Sequence, residues 1–469
     1  MPDETDPARV SPRPKPQPLP VAVIGAGFSG TMAAIQLLAR LAPDRSVLLC
    51  ERAERFGRGR AYATGNPDHL LNVRAANMSA YPDRPGHFSD WLAGLGPEDE
   101  SGIRATPAGT FAARGLYGRY LAELLTEAVT GRDGPRLHLV NEAITDIRRE
   151  DGRLVLRSEG GRTHAAAGAV LAMGNLVAPA EPASRYRFDP WNSDAFGRLH
   201  AHLPVMIVGT GLTMVDAVVT LRRHGFAGPI VALSRRGLRP TAHAAAAPWP
   251  QPALSPAETA SLPALSARIR REIAAARASG ADWRGVIDAL RPITDTLWLG
   301  LPEAERGRFL RHLRPFWDVH RHRAAPPVGE TVDAEIAAGS LVVRAGRITD
   351  IADGPDHARV TVRPRGSQGR ETLNVQCILD ARGIGRVAET RDPLLARLIG
   401  RGLVRPGPFG IGLDAAPDFS VLAEPPEGPG APLWTLGPLL RGVFWECTAV
   451  PDIRNQAVEL ARSVAAALP

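Results

Sequence analysis

The chain has 469 residues and a formal net charge of +7, from 56 Lys and Arg against 49 Asp and Glu. Its length predicts about two to three domains, each large enough to bury its own core. The arginines are scattered along the chain, whereas a nucleic-acid-binding protein concentrates its charge in one face or tail. We therefore expect no nucleic-acid partner.

The sequence also argues against a membrane or secreted protein. No apolar run reaches the roughly eighteen residues of a membrane-spanning helix, and the N-terminus lacks the charged start and apolar stretch of a secretory signal. The three cysteines, Cys50, Cys377 and Cys447, lie far apart with no Cys-x-x-Cys pair. They exclude a disulfide framework and fit a reducing, cytoplasmic location. No residue pattern predicts a metal site.

A strand followed by a glycine-rich turn opens the ordered part of the chain, after a Pro-rich segment expected to be extended or disordered. Residues 21–24 predict a buried parallel strand. It leads into Gly-x-Gly-x-x-Gly, formed by Gly25, Gly27 and Gly30, and then into a helical apolar pattern. In this motif the first glycine makes the turn, the second lets the backbone approach a pyrophosphate, and the third packs helix against strand. The helix N-terminus then presents free N–H groups to the phosphates.

The residues around this turn complete a dinucleotide site. The next strand, residues 46–50, ends in Glu51, where a carboxylate accepts the ribose hydroxyls. Ser29 lies inside the turn, and Gly174 and Gly437 each follow a later apolar strand. The basic, glycine-containing segment 52–62 is either a loop passing the cofactor or a solvated surface loop. We predict dinucleotide contacts at Gly25, Gly27, Ser29, Gly30, Glu51, Gly174 and Gly437.

A second strand and glycine turn begin at residue 205. Gly209 and Gly211 repeat the first two glycines, but Met214 stands where the third would be. The following strand ends in Arg235 and Arg236 with no acid, which fits the 2′-phosphate of NADP(H) because a carboxylate there would repel it. The alternative is a basic strand end exposed to solvent. The predicted contacts of this second site are Gly209, Gly211, Thr213, Arg235, Arg236 and Gly383.

With both units located, the chain resembles a bacterial family of FAD–NAD(P)-binding proteins, on residues 70–79, 117–121, 209–216, 317–323 and 444–454. That family is similar to the flavin-dependent N-hydroxylating and related class B monooxygenases. The resemblance implies FAD in the first unit and NADPH in the second. One departure is Arg382, which stands where such proteins usually have threonine in a late Cys-Thr-Gly or Ala-Thr-Gly.

The expected architecture is an α/β fold with two dinucleotide-binding (Rossmann-like) domains, the NADP domain being inserted into a discontinuous FAD domain. The predicted division is a Pro-rich tail over 1–18, the FAD domain over 19–200 and 376–469, and the NADPH domain over 201–375. A helical insertion is expected at about 240–330 within the NADPH domain.

The resemblance implies an FAD-dependent, NADPH-using monooxygenase that acts through a flavin C4a-hydroperoxide on a small substrate, for which an anionic compound is one candidate. The catalytic candidates are Asn72, Arg74 and Asn77, because we expect their side chains to form the shell that faces the flavin. Two alternatives remain open from sequence: an NADPH-dependent flavin reductase without oxygen transfer, and a non-catalytic flavin- or NADP-bound sensor. The expected partners are a small-molecule substrate, no nucleic acid and no membrane, while the oligomeric state is left open.

Overall fold

A computed structural model describes residues 17–178, 182–191, 196–197, 199–424 and 430–468. The predicted Pro-rich tail falls almost entirely outside the described residues. The strands in chain order are β1 Val21–Ile24, β2 Val47–Cys50, β3 Ile103–Thr106, β4 Gly109–Ala112, β5 Leu137–Val140, β6 Ile144–Glu150, β7 Arg153–Ser158, β8 Thr163–Ala166, β9 Gly168–Leu171, β10 Arg187–Phe188, β11 Val205–Val208, β12 Ile230–Ser234, β13 Leu341–Asp353, β14 Ala358–Pro364, β15 Glu371–Val375, β16 Cys377–Asp380 and β17 Leu433–Thr435.

The α-helices connect these strands and form one largely helical segment between β12 and β13. They are α1 Phe28–Leu38, α2 Gly59–Tyr62, α3 His87–Ala93, α4 Arg114–Thr130, α5 Leu212–Arg223, α6 Pro256–Thr259, α7 Leu262–Ala278, α8 Trp283–Leu290, α9 Thr294–Gly300, α10 Glu303–Arg308, α11 Arg314–Arg321, α12 Pro326–Ala337, α13 Pro393–Gly400 and α14 Val450–Ala467. A π-helical turn, Phe309–Leu313, joins α10 to α11. Short 3-10 turns occur at Ala75–Asn77, Pro97–Gly102, Gly134–Arg136, Arg291–Ile293, Val387–Glu389, Pro408–Gly410 and Gly437–Leu440.

The first sheet is parallel throughout, with strand order β17-β9-β1-β2-β5. Its central strand β1 is fully buried because it is covered on both faces. Val21 and Val23 face the core formed with α1 and α14, whereas Ala22 and Ile24 face the core formed with the β6-β7-β8 sheet and α13. The apolar run at residues 21–24 therefore contributes side chains to two hydrophobic cores.

The second sheet has strand order β10-β16-β11-β12-β13-β14-β15. Its strands β10, β16, β11, β12 and the first half of β13 run parallel, and the second half of β13 turns into an antiparallel meander with β14 and β15. The first sheet is parallel and the second has a parallel core, formed by strands that lie between β9 and β17 in the chain; together they confirm the predicted α/β fold class.

The chain returns to the first sheet later than the predicted boundary at residue 376. Strand β16, Cys377–Asp380, pairs in parallel with β11 along its whole length and so belongs to the second sheet. The chain rejoins the first sheet only with β17, which pairs with β9. The reason is that residues 377–380 form a largely apolar central strand, and the local pattern does not indicate which of two similar sheets it enters.

Buried polar contacts join the units. Arg114 Nη1 on α4 lies 2.8 Å from Asp216 Oδ2 on α5, with both side chains nearly buried. The helical segment α6–α11 is joined to the C-terminal part of the chain through Asp295 Oδ1, which accepts the backbone N–H groups of Trp445 and Glu446 at 2.8 and 2.9 Å.

No helix in the described ranges is both long and apolar enough to cross a bilayer.

Candidate active site between two dinucleotide loops

The first glycine turn has the geometry that the motif requires. Gly25 has φ +99°, and a Cβ built on it would lie 2.6 Å from the Ala172 carbonyl oxygen, so only glycine fits. A Cβ on Gly30 would overlap the Gly25 carbonyl oxygen, which is the close helix-to-strand approach expected of the third glycine. Gly27 differs, because its Cβ would meet only the Gly59 Cα, at 3.5 Å. The protein's own packing therefore does not require a glycine at position 27.

The other predicted residues of this unit collect at the same sheet edge, where the carboxyl ends of parallel strands meet. The Glu51 carboxylate accepts the Ala26 N–H at 2.7 Å, which places it against the glycine turn. Gly174 follows β9 with φ +69° and open space around it. Gly437 follows β17 with φ +75°, and a Cβ there would lie 2.5 Å from Ser29 Oγ. The structure thus brings all seven predicted residues of the first site together.

The glycine-containing segment after Glu51 crosses directly over this turn. Gly57 donates its N–H to the Ala26 carbonyl oxygen at 2.9 Å, and a Cβ on Gly59 would lie 2.9 Å from the Gly27 Cα. Of the two interpretations of residues 52–62, this position favours a loop that passes the bound group. Asn141, which the sequence did not single out, fixes the segment by donating to the Glu51 and Ala53 carbonyl oxygens at 3.0 and 2.8 Å.

The second glycine turn repeats the first at the edge of the second sheet. Gly209 has φ +112°, and its Cβ would overlap the Ala381 carbonyl oxygen. Gly211 is the N-cap of α5 in an extended conformation, with no side-chain cap and with open space where a Cβ would lie. Thr213 lies in the first turn of α5. Met214, in place of the third glycine, is fully buried and contributes to the core of this unit.

The two arginines after β12 have different environments. Arg236 donates to the Arg311 and His312 carbonyl oxygens at 3.4 and 3.3 Å and lies over the Phe316 ring. Arg235 is exposed and makes no hydrogen bond or ion pair within the described part of the chain. Of the two, Arg235 is the one whose guanidinium is free to meet an incoming phosphate.

Arg382 lies at the second turn, not at the first. It follows β16, and its backbone N would lie 3.0 Å from a Cβ on Gly209. Its guanidinium holds the Asp380 carboxylate through two hydrogen bonds of 2.7 and 2.6 Å. Gly383, the next residue, is exposed and has open space around it. Any influence of Arg382 on a cofactor is therefore expected first at the second dinucleotide site.

A polar cavity of about 590 Å³ is lined by all three catalytic candidates, Asn72, Arg74 and Asn77. Arg74 is held in place because its guanidinium donates to the Ala108 carbonyl oxygen and, at 3.4 Å, to that of Ala244. The opposite walls come from the helical segment and from the start of α14. The charged and histidine side chains of these walls are His243, Asp288, Arg291, Asp295, Arg321, His322, Arg323, Glu446, Asp452 and Arg454.

Most charges in this lining are already paired. Arg321 bonds both oxygens of Glu446 at 3.1 Å, and Arg323 bonds both oxygens of Asp288 at 3.1 and 2.9 Å. Arg291 likewise holds the Asp452 carboxylate, at 3.0 and 3.1 Å. The pairs of Arg291 and Arg321 join the helical segment to residues 446–452, and the pair of Arg323 joins the end of that segment to α8. The stretches 317–323 and 444–454, which carried the family resemblance, supply several of the partners.

The two histidines of the cavity are neutral near physiological pH. Burial lowers the pKa of His243 to about 4, helped by the nearby Arg323 and Arg74. Burial and several neighbouring arginines lower the pKa of His322 to about 3. His243 Nε2 lies 3.0 Å from the Asn72 carbonyl oxygen and so carries the proton, while its buried Nδ1 has no partner among the described residues. That nitrogen is a free hydrogen-bond acceptor in the cavity lining.

The comparisons with known proteins agree with this arrangement. Residues 22–176 match the model of a family described as FAD-NAD(P)-binding. No curated protein sequence matches the chain. Among solved structures, it is similar to the Kutzneria sp. 744 ornithine N-hydroxylase, with a TM-score of 0.63 at 13% identity, over 96% of this chain and 100% of that one.

Two further structures are similar over nearly the same extent. The L-lysine 6-monooxygenase of Pseudomonas syringae has a TM-score of 0.63 at 16% identity, over 96% of this chain and 98% of that one. The FAD-bound cadaverine monooxygenase of Erwinia amylovora has a TM-score of 0.60 at 11% identity, over 95% of this chain and 94% of that one. At such identities the likeness shows the fold. The family model confirms the predicted FAD/NAD(P)-binding unit over residues 22–176, and the structural likeness confirms that the chain resembles N-hydroxylating flavoproteins in fold.

Proposed function

We propose that the chain is an FAD-dependent, NADPH-using oxidoreductase, and specifically a monooxygenase that transfers oxygen to a small substrate in the polar cavity. One observation carries the proposal. Within the described residues, the cavity lining contains no serine, threonine, cysteine, lysine or tyrosine, and its carboxylates are held by arginines or backbone N–H groups. Such a lining offers no hydroxyl, thiol or amine nucleophile, which favours chemistry supplied by a bound group.

The first glycine turn fits FAD. Gly27 faces open space apart from Gly59, and α1 begins there with no side chain capping its first N–H groups. A pyrophosphate would use these free donors and the positive end of the helix. The Glu51 carboxylate stands where ribose hydroxyls would bind. Bound FAD would supply hydride acceptance and the activation of O2.

The second turn fits NADPH for the same reasons and one more. Gly211 leaves the start of α5 open and uncapped, and the exposed Arg235 follows the adjacent strand with no carboxylate beside it in the sequence. A guanidinium meets a 2′-phosphate with two parallel hydrogen bonds. These features support a preference for NADPH over NADH.

The chain's own residues orient and shield the reacting groups. Among the described residues, Arg74 and Arg454 donate hydrogen bonds only to backbone carbonyl oxygens, and Arg454 donates to that of Ser79 at 2.9 Å. Since no carboxylate in the described ranges pairs with either guanidinium group, their positive charge at the cavity is not neutralised. We assign them to the side that faces the flavin. His243 Nδ1 is placed to accept a proton or a hydrogen bond from a substrate N–H or O–H. The helical segment, fixed by its ion pairs, forms the wall that would shield the reaction from water, as oxygen transfer requires.

The structurally similar enzymes are named for ornithine, lysine and cadaverine, all of which are amines. They support oxygen transfer as the reaction class. In this chain, however, the cavity carboxylates are committed to arginines or backbone N–H groups, so a dibasic amine would find no free anion to bind.

The test is to follow the oxygen atom. FAD-loaded protein is supplied with NADPH and 18O2 in the presence of a small-molecule extract, and both labelled products and hydrogen peroxide are measured. We expect the label to enter an organic product and the peroxide yield to fall below that of protein without extract. NADPH oxidation with all oxygen recovered as peroxide would instead establish a flavin reductase.

A further inference from the structure

A second cavity, of about 500 Å³, lies inside the helical segment. Its walls are apolar and aromatic, and the main contributors are Ile269, Ile273, Trp283, Trp298, Trp317 and Trp445. This volume lies in the range of pockets that hold small organic ligands, about 300–1,000 Å³. The polar cavity described above does not use this space.

Several large apolar side chains that line this cavity are incompletely buried. On α7, Leu265 is 6% exposed, but Ile269 and Ile273, one and two turns further along the same face, are only partly buried. Trp283 across the cavity is also only partly buried. Large apolar side chains that border an open cavity forfeit part of the favourable free energy of burial. An apolar body in the cavity would restore that contact.

The rim of the cavity carries positive charge that the protein does not neutralise. Arg270 and Arg277, two turns apart on α7, line the cavity and are exposed, and neither has an ion-pair partner in the described ranges. Their neighbours Arg268 and Arg271 do, since both reach the carboxylate of Glu258. The two free guanidinium groups therefore favour a ligand with an acidic head group at the rim.

The wall of this cavity is shared with the polar one. Thr294 and Trp445 line the apolar cavity, whereas the residue that follows each of them, Asp295 or Glu446, lines the polar cavity. The buried Trp317 Nε1 has no hydrogen-bond partner among the described residues, and Trp317 lines the apolar side. A ligand held here therefore lies one side chain away from the proposed reaction site.

We infer that the apolar cavity binds a small organic acid with an aromatic or branched alkyl body, the acid lying at Arg270 and Arg277. This inference rests on the proposed function in that it places the compound beside the site of oxygen transfer, behind the wall that Trp445 and Glu446 share. The compound differs from the diamine and the basic amino acids for which the similar structures are named, because the described lining of the cavity offers aromatic surface and arginines but no carboxylate for their side-chain ammonium groups.

The test measures binding without turnover. Two probes, 2-naphthylacetate and decanoate, are titrated into FAD-loaded protein by calorimetry and by quenching of tryptophan fluorescence, with L-lysine as the comparison ligand. Ile273→Asp places a charge in the lining, and Ala274→Asp places the same charge on the exposed face of the same helix. Circular dichroism and flavin content check that both variants fold.

We expect both acids to bind the wild type and the Ala274→Asp variant. Both should bind the Ile273→Asp variant at least about tenfold more weakly. L-lysine should not bind. The double variant Arg270→Ala, Arg277→Ala, which alters only exposed side chains, should weaken 2-naphthylacetate about three- to tenfold and leave 2-naphthylacetamide unchanged. If neither acid binds the wild type, or if Ile273→Asp and Ala274→Asp bind equally, the inference is overturned.

A separate readout distinguishes this inference from the proposed function. Reduction of the flavin by NADPH is measured in the same samples. Acid binding without flavin reduction would remove the proposed function and leave a ligand site, whereas flavin reduction without acid binding would remove this inference alone.

Discussion

The neutral form of His243 is a property of the folded chain that can be measured directly. Burial lowers its pKa from 6.5 to about 4, and its Nε2–H donates to the Asn72 carbonyl oxygen at 3.0 Å. The unfolded chain therefore binds this proton more readily than the folded chain between those two pH values. The contribution of neutral His243 to the free energy of unfolding is fully present above pH 6.5 and is lost as the pH falls toward 4.

The size of the effect follows from the shift. A change from 6.5 to about 4 corresponds to about 3 kcal/mol over the whole window, of which about 2 kcal/mol is lost by about pH 5. His243→Gln keeps an N–H donor at the end of the side chain and removes the titrating ring. Between about pH 7.5 and about pH 5 the free energy of unfolding should fall in both proteins. We expect the fall in the variant to be smaller than the fall in the wild type by about 2 kcal/mol.

The assay is urea denaturation of FAD-loaded protein at the two pH values, followed by circular dichroism. Other buried histidines, such as His322, titrate alike in both proteins and cancel in the difference. The matched control substitution is His138→Gln, at an exposed position outside the cavity. If His243→Gln loses as much stability as the wild type on acidification, His243 is not held neutral in the cavity and cannot serve as its proton acceptor.

Three further predictions concern the dinucleotide sites. Gly27→Val should purify folded but without FAD, because its side chain fills the phosphate cradle while meeting only Gly59; a fully yellow variant, judged by flavin absorbance, would place the pyrophosphate elsewhere. Arg235→Ala should weaken NADPH binding about ten- to a hundredfold in flavin-reduction titrations and leave NADH unchanged, with Arg239→Ala as the basic control; equal affinities for both nucleotides in the wild type would contradict it. Arg382→Thr should change the Kd of NADPH more than flavin affinity, because Arg382 lies at the second turn; a change confined to flavin affinity or potential would contradict that placement.

Local sequence patterns predicted the positions of the two glycine turns because each turn depends on residues adjacent in the chain. The β-strand, the glycine turn and the helix start follow one another, and parallel strands automatically bring their carboxyl ends to one edge. Glu51 could be placed against Gly25–Gly30 for that reason alone. The same reasoning could not assign β16 to a sheet, because a short apolar strand fits either one.

The candidate active site was only partly predictable. Asn72, Arg74 and Asn77 stand within one short segment, so a single local pattern identifies them. Their partners come together through tertiary contacts, such as Arg321 with Glu446 across 125 positions. The apolar cavity is also a product of packing, since the periodicity of α7 predicts a buried face but not that the face borders an open cavity.

The most direct test of the central claim is an anaerobic titration of the FAD-loaded protein with NADPH, followed by flavin absorbance. The proposed arrangement predicts stoichiometric bleaching by NADPH, with much weaker binding of NADH, and rapid return of the oxidised spectrum when O2 is admitted. A flavin that stays oxidised with excess NADPH would contradict the claim that the two dinucleotide loops serve one reaction.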